Sequence, residues 1–145
     1  MTQRETYILL VEDTEEHAML IRRALENGEF RPRFYEIKDG SSALDFLYHR
    51  GEYAERRKPS PRPDIILLDL KLPKVHGLEI LKRIKSDEKL RDIPVVVITS
   101  SEEEKDILSS YQGGADSYFT KSVLFLNKGA DAGTILDTVF TMVGV

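Results

Sequence analysis

Five polar residues of this sequence stand just past short apolar runs, and the side-chain types they offer are suited to one chemistry. They are Glu12, Asp13, Asp69, Thr99 and Lys121. Three carboxylates held close together would repel one another and raise each other's pKa values unless a cation neutralised them. The available ligands are hard oxygens and the chain has no cysteine, so Mg²⁺ is the cation that these residues favour.

The apolar runs before these residues are predicted to be strands that bring them together. Runs of four or five residues alternate with longer amphipathic stretches, which is typical of a parallel sheet with helices on both faces. The carboxyl ends of such strands share one edge, where ligands bind, so we expect the five polar residues to meet there. The predicted strands are Tyr7–Val11, Arg33–Ile37, Ile65–Leu68, Val95–Ile98 and Ser117–Thr120.

A helix is predicted after each strand. The second and third cover Ser41–Tyr48 and Gly77–Lys85, and a final helix is expected over about 132–143. The pair Ser101 and Glu104 indicates a capping box at the start of the fourth helix. Five strand–helix units predict an α/β chain in which residues 1–145 form a single domain.

Composition and charge exclude several broad classes of protein. There are 21 Lys and Arg against 25 Asp and Glu, for a net charge of −4, and no basic tail, so we expect no nucleic-acid partner. The N-terminus has no apolar signal segment and no apolar run is long enough to cross a bilayer. A cytoplasmic protein with no membrane contact is therefore expected, and the lack of cysteine fits a reducing compartment.

Four short motifs, taken together in their order and spacing, resemble those of a two-component response-regulator receiver domain of the CheY-like superfamily. They are V-E-D at 11–13, D-L-K-L-P at 69–73 followed by Gly77, V-I-T-S at 97–100, and G-A-D-S-Y-F-T-K at 114–121. The resemblance covers about residues 7–121. It implies a flavodoxin-like (βα)5 fold, a doubly wound five-stranded parallel sheet with strand order 2-1-3-4-5.

The resemblance implies a role for each residue of the acidic group. Asp69 would be the phosphoacceptor, taking a phosphoryl group from a histidine kinase in a Mg²⁺-dependent reaction. Glu12, Asp13 and Asp69 would hold the Mg²⁺, directly or through water, and the main-chain carbonyl of Lys71 would be a further ligand. A carboxylate is a competent nucleophile, and phosphoryl transfer needs mainly positioning and charge neutralisation.

The remaining motif residues would sense the phosphoryl group. By the same resemblance, the hydroxyl of Thr99 would bond a phosphoryl oxygen, the ammonium of Lys121 would pair with it, and Tyr118 would be the switch aromatic. Phosphorylation would then change the surface made by the fourth helix, the fifth strand and the fifth helix. The chain would be a signalling protein rather than an enzyme, assisting only its own phosphorylation and dephosphorylation.

Partners follow from the resemblance as well. We expect a sensor histidine kinase or a phosphotransfer protein, a downstream protein target, and a candidate homodimer through the same surface. The stretch 49–63 is rich in arginine and proline, and similar extensions occur in receivers that resemble the partners of phytochrome-like kinases. Only 24 residues follow Lys121, so a stand-alone receiver with no output domain is expected.

One departure from the family pattern concerns the lysine. Receivers usually have a proline after it, in a cis peptide, whereas Lys121 is followed by Ser122. A cis bond costs about 2.5–4 kcal/mol before a non-proline residue and about 0.5–1 kcal/mol before proline, so the position of the Lys121 ammonium is left open. An alternative function is therefore a degenerate receiver that binds partners without phosphorylation. The apolar stretch Val123–Leu126 is a second departure, at the predicted output face.

Other functions and simpler roles compete with this hypothesis. A phosphatase of the haloacid-dehalogenase type needs an acid two residues after its nucleophile, where this chain has Lys71. A flavodoxin-like mononucleotide binder needs a phosphate loop after the first strand, where Glu12 and Asp13 would repel phosphate. A simpler role for Asp13 is to cap the first helix, with Glu16 as its capping-box partner. The three histidines share no ligand spacing and are predicted to be surface or packing residues: His17, His49 and His76.

Overall fold

The computed structural model describes residues 5–26, 31–54, 62–101, 103–122 and 141, and these form one five-stranded parallel sheet flanked by helices. The strand order is β2-β1-β3-β4-β5, which confirms the predicted α/β fold and topology. The strands are β1 (Glu5–Val11), β2 (Arg31–Ile37), β3 (Ile65–Leu68), β4 (Val95–Thr99) and β5 (Ser117–Thr120). The helices are α1 (Glu15–Glu26), α2 (Gly40–Tyr48), α3 (Gly77–Ser86) and α4 (Glu104–Gln112), with a 3₁₀ turn at Gly51–Tyr53.

The sheet has a hydrophobic layer on each face. Successive strand residues point to opposite faces, so Leu9 and Val11 of β1 pack in one layer while Ile8 and Leu10 pack in the other. Helices α2 and α3 contribute to the first layer and α1 to the second. Every residue of β3 is buried, because this central strand is covered on both sides. Continuous apolar runs, rather than alternating ones, are what such a sheet requires.

The start of α4 differs from its prediction. The helix begins at Glu104 with Glu103 as its N-cap, and no side-chain bond caps it, so the capping box predicted for Ser101 and Glu104 is wrong. Ser101 lies two residues before the N-cap, where its hydroxyl accepts the Glu103 N–H and donates to Asp106. The serine therefore orders the turn between β4 and α4 instead of the first helical turn.

Some predictions fall on residues outside the described ranges. These include residues 55–61 of the arginine- and proline-rich stretch 49–63, the apolar stretch Val123–Leu126 and most of the final helix expected over 132–143. Within that last range the structure describes Thr141 alone, and this residue is helical. Among the helices of the described residues, none combines the length and the apolar character needed to cross a bilayer.

Helix α2 begins with a side-chain cap from Asp39. Asp39 accepts hydrogen bonds from the Ser42 backbone N–H at 2.7 Å and from the Ser42 hydroxyl at 2.9 Å. Burial opposes ionisation of Asp39, but these hydrogen bonds outweigh it and hold the pKa of the carboxyl below its usual value.

We expect Asp39→Ala to lower the free energy of unfolding by about 1 kcal/mol near neutral pH, because two donors lose their acceptor. The native pKa is depressed, so the contribution of the carboxylate is complete above the unfolded-state pKa and is lost as pH falls through the native pKa. Urea denaturation over an acid-to-neutral series measures this. Asp39→Asn keeps an acceptor and serves as the control. A deficit of the alanine variant that does not change with pH would contradict the assignment.

Candidate functional site

The carboxyl ends of β1 and β3 lie side by side and carry the first two acidic residues of the site. Val11 pairs with Leu68 in the parallel ladder, so Glu12 and Asp69 follow neighbouring positions. The Glu12 N–H donates to the carbonyl of Ile37 at 3.0 Å, and the Asp69 N–H donates to the carbonyl of Val11 at 3.1 Å. These bonds extend the sheet by one residue on each strand and fix the backbone from which both carboxylates project.

Glu12, Asp13 and Asp69 form one acidic cluster. Each offers a carboxylate oxygen, and the three oxygens lie within 4.8 Å of one another. Glu12 is 3% exposed and Asp69 is 4% exposed, whereas Asp13 is exposed to solvent. Three hard anionic oxygens at this spacing, two of them buried, suit a divalent cation such as Mg²⁺. The residues present therefore fit the metal that the sequence predicts.

Lys121 lies at the centre of the buried part of the site. Its Nζ is 2.9 Å from Oδ2 of Asp69 and 2.7 Å from Oε1 of Glu12, and the residue is 5% exposed. Strand β5 pairs with β4 so that Thr99 lies opposite Thr120, which brings the next residue to the same sheet edge. The serine that follows Lys121 in this chain does not move the ammonium away from the acidic residues.

The ionisation of the buried groups follows from their surroundings. Burial raises the pKa of Glu12 to about 7, with a further contribution from the nearby Asp69, although the hydrogen bond from Lys121 opposes the rise. Burial disfavours the charged form of Lys121, but its hydrogen bonds to Glu12 and Asp69 outweigh this and raise its pKa. The lysine is therefore a fixed positive charge within the site.

The loop after β3 folds back over Asp69. The backbone N–H of Lys71 donates to Oδ1 of Asp69 at 3.2 Å, so the two carboxylate oxygens of Asp69 have different partners. The Gly77 N–H donates to the carbonyl of Leu70 at 2.8 Å, which closes the loop at the start of α3. Lys74, within the loop, has a positive φ of 70°. The D-L-K-L-P segment is thus a turn that presents Lys71 beside the acidic cluster.

Thr99 and Tyr118 are connected through the turn after β4. Thr99 is fully buried at the end of β4, and its hydroxyl oxygen lies 3.5 Å from the Ser101 N–H. The hydroxyl of Tyr118 donates to the Ser101 carbonyl at 2.8 Å. Burial of the half-covered ring raises the pKa of Tyr118, so the phenol stays protonated and available as a donor. A movement of this turn would change the environment of both side chains.

His17 is a member of the site that sequence reasoning missed. Its Nδ1 lies 2.9 Å from Nζ of Lys121, so the prediction that it is a surface or packing residue is wrong. The signal was its spacing: His17 is four residues after Asp13, in the first turn of α1, and this helix starts beside the acidic edge. By contrast, His76 is the N-cap of α3, and its Nδ1 accepts a hydrogen bond from the Leu78 N–H at 3.2 Å. We assign this histidine a structural role.

Comparison with known proteins identifies related chains along most of the sequence. Residues 8–127 match the family profile described as the response regulator receiver domain. The response regulator Rcp1 of Synechocystis sp. is 43% identical over 115 residues, which are 79% of this chain and 76% of Rcp1. The probable methanogenesis regulatory protein FilR2 of Methanothrix harundinacea is 45% identical over 119 residues, 81% of this chain and 73% of FilR2.

Solved structures share the fold at similar identity. The Mn²⁺-bound form of response regulator Rcp1 has a TM-score of 0.73 at 38% identity, covering 95% of this chain and 88% of that chain. The phosphorylated cyanobacterial phytochrome response regulator RcpA has a TM-score of 0.74 at 38% identity, covering 95% of this chain and 91% of that chain.

The close approach of α3 to the Asp69 backbone predicts that Gly77 tolerates no side chain. A Cβ at this position would lie 2.4 Å from the Asp69 carbonyl oxygen and 2.5 Å from the Leu70 Cα, and backbone atoms have little freedom to move away. We expect Gly77→Ala to lower the free energy of unfolding by about 1–3 kcal/mol in urea denaturation.

Gly113→Ala is the matched control. A Cβ at Gly113 would meet a side-chain atom of Leu81 and the Ser109 carbonyl, each at 3.2 Å, and the φ of −77° suits any residue. We expect a change within about 1 kcal/mol for this variant. Equal stability losses in the two variants would contradict the assigned role of the Gly77 contact.

Proposed function

Because the chain belongs to the family of response regulator receiver domains, we propose that it is a phosphoacceptor switch in which Asp69 takes a phosphoryl group from a histidine kinase. The single observation that carries the proposal is the position of the Lys121 ammonium, 2.9 Å from Oδ2 of Asp69 in a buried setting. A fixed cation beside a nucleophilic carboxylate is what a transferring phosphoryl group needs for charge stabilisation.

In the proposed reaction, a carboxylate oxygen of Asp69 forms the new bond to phosphorus. The bond between phosphorus and the nitrogen of the kinase's phosphohistidine breaks, and the nitrogen keeps the electron pair. The kinase is left with an unphosphorylated histidine. Lys121 pairs with the negative charge that arrives on Asp69. The Lys71 N–H, which donates to Oδ1 at 3.2 Å, keeps the carboxylate oriented during transfer.

The acidic cluster would hold the required Mg²⁺. We assign its protein ligands to the carboxylates of Glu12, Asp13 and Asp69, with the main-chain carbonyl of Lys71 as a further ligand, and the oxygen spacing of 4.8 Å or less supports the first three. When bound, the cation supplies charge neutralisation for the phosphoryl oxygens. Glu12 in the place of the more usual aspartate reaches the cluster from the buried end of β1.

Thr99 and Tyr118 would transmit the change. The Thr99 hydroxyl bonds a phosphoryl oxygen in the phosphorylated state, which draws the turn at Ser101 toward Asp69. The hydrogen bond from Tyr118 to the Ser101 carbonyl then breaks, and the ring takes a new position beside α4. Such a step is a population shift between two arrangements of one surface.

The output surface includes the exposed face of α4. Leu108 is 57% exposed and Tyr111 is 48% exposed, three positions apart on this helix. Large apolar side chains on a surface that changes with phosphorylation suit a downstream protein target or a second copy of the chain. The kinase is assigned to the phytochrome-like class because RcpA is described as a phytochrome response regulator.

Phosphorylation itself is the first test. Incubation of the full chain with acetyl phosphate or phosphoramidate and Mg²⁺ should add one phosphoryl group by intact-mass measurement. Asp69→Asn should take none, because an amide is not a nucleophile of this kind. Omission of Mg²⁺ should slow the wild-type reaction by more than about tenfold. A folded wild type that acquires no adduct from any donor would favour the alternative of a phosphorylation-independent binding module.

Metal binding is the second test, and it needs no phosphodonor. Mg²⁺ at about 100 times its dissociation constant should stabilise the native protein by about 2.7 kcal/mol, measured as a shift of the thermal unfolding midpoint. Asp13→Asn should lose most of this shift, because it removes one charged ligand. Asp92→Asn makes the same chemical change at an exposed position in the loop before β4 and should keep the shift. An identical loss in both variants would refute the assigned ligands.

A further inference from the structure

We propose that His17 is a positioning residue, which accepts one hydrogen of the Lys121 ammonium and so holds this lysine against Asp69. The inference deepens the proposed function and rests on it for its consequence, although the contact itself exists in the unphosphorylated chain. The observation that carries it is the 2.9 Å separation between Nζ of Lys121 and Nδ1 of His17.

The ammonium group has three close polar neighbours. A lysine ammonium carries three hydrogens and no acceptor, so every polar neighbour within hydrogen-bond distance must accept. The three neighbours of Nζ are Oε1 of Glu12 at 2.7 Å, Oδ2 of Asp69 at 2.9 Å and Nδ1 of His17 at 2.9 Å. The imidazole is consequently in the tautomer with its proton on Nε2.

The three partners come from three different elements. Glu12 follows β1, Asp69 follows β3 and His17 lies in the first turn of α1, so the ammonium is held from three directions. Helix α1 is anchored to the sheet by buried side chains, including those of Ala18 and Ile21, and it presents His17 from a rigid base. The flexible four-carbon stem of a lysine needs such an anchor if the charge is to be fixed.

A neutral acceptor has an advantage over a third carboxylate at this position. The site already contains two buried acids beside the lysine, and phosphorylation brings further negative charge to Asp69. Imidazole nitrogen accepts a hydrogen bond without adding negative charge, so it orients the ammonium and leaves its charge available to the phosphoryl group. His17 thereby supplies the positional restraint that the Lys121-Ser122 sequence, with no proline, does not provide.

The tautomer of His17 is the direct readout. Long-range ¹H–¹⁵N correlation spectra of the full chain should show the His17 ring protonated on Nε2 in its neutral form. Lys121→Met removes the donor, and the His17 ring should then shift toward a mixture of tautomers. His76 is an internal control: its Nδ1 accepts the Leu78 N–H, so its spectrum should show the Nε2–H tautomer in both proteins. A His17 ring protonated on Nδ1 in the wild type would overturn the proposal.

Phosphorylation kinetics supply the second readout. His17→Leu should reduce the rate of phosphorylation by acetyl phosphate on the order of tenfold, the loss expected for a hydrogen bond to a charged group. His17→Asn, whose amide oxygen can accept from Nζ, should recover most of the rate. The Mg²⁺-induced thermal shift should be kept in both variants, because His17 is not among the proposed metal ligands.

The outcomes separate the two proposals. A wild type that takes no phosphoryl group overturns the proposed function, while the tautomer measurement still decides the His17 contact. A His17→Leu variant that is phosphorylated at the wild-type rate overturns the positioning role, and so does an asparagine variant no faster than the leucine variant.

Discussion

The buried ion triad of Lys121, Glu12 and Asp69 is the constraint on which the site depends. Three carboxylates with Asp13 included face one ammonium, so full ionisation leaves two negative charges in excess. Part of this excess is relieved by the raised pKa of Glu12, and a divalent cation would balance all of it. In the proposed function the same excess charge serves twice: it would hold the metal, and it must be neutralised before an anionic phosphoryl group can approach Asp69.

The parallel sheet makes this concentration of charge possible. Glu12 and Asp69 stand one position beyond a strand, and Asp13 stands two positions beyond. The apolar residues of these strands are packed on both faces of the sheet, so the sheet interior anchors acids whose charges repel one another. The backbone N–H groups of Glu12 and Asp69 still donate to the neighbouring strands, so the sheet hydrogen bonding reaches these two residues. Gly77 packs closely against the Asp69 carbonyl and so closes the loop that follows β3. Because the anchoring interactions are hydrophobic and backbone-mediated, the sheet edge does not depend on its charged groups for cohesion, which leaves them available for the proposed metal binding and phosphorylation.

The spacing of apolar residues along the chain predicts the strands, because strand formation here depends on local sequence. The strand before Asp69 is recognisable in the sequence because a strand covered on both faces must be apolar throughout. The direction of the parallel strands then predicts that the polar residues following them meet at one edge of the sheet. The capping box at Ser101 was wrong because the turn after β4 used the serine before the helix began. The contact of His17 with Lys121 joins residues 104 positions apart and depends on how α1 packs, which periodicity does not encode. Strand direction also predicts Lys121 at this edge, but Ser122 in place of proline leaves the position of its ammonium open, and the contacts with Glu12 and Asp69 fix that position.

The decisive measurement is a crystal structure of the full chain with Mg²⁺ and beryllofluoride, a mimic of the phosphoryl group. We expect the metal among the oxygens of Glu12, Asp13 and Asp69, beryllium joined to Asp69, and the Lys121 ammonium on a fluorine atom with His17 still beside it. A metal bound elsewhere, or a lysine turned out into solvent, would overturn this arrangement.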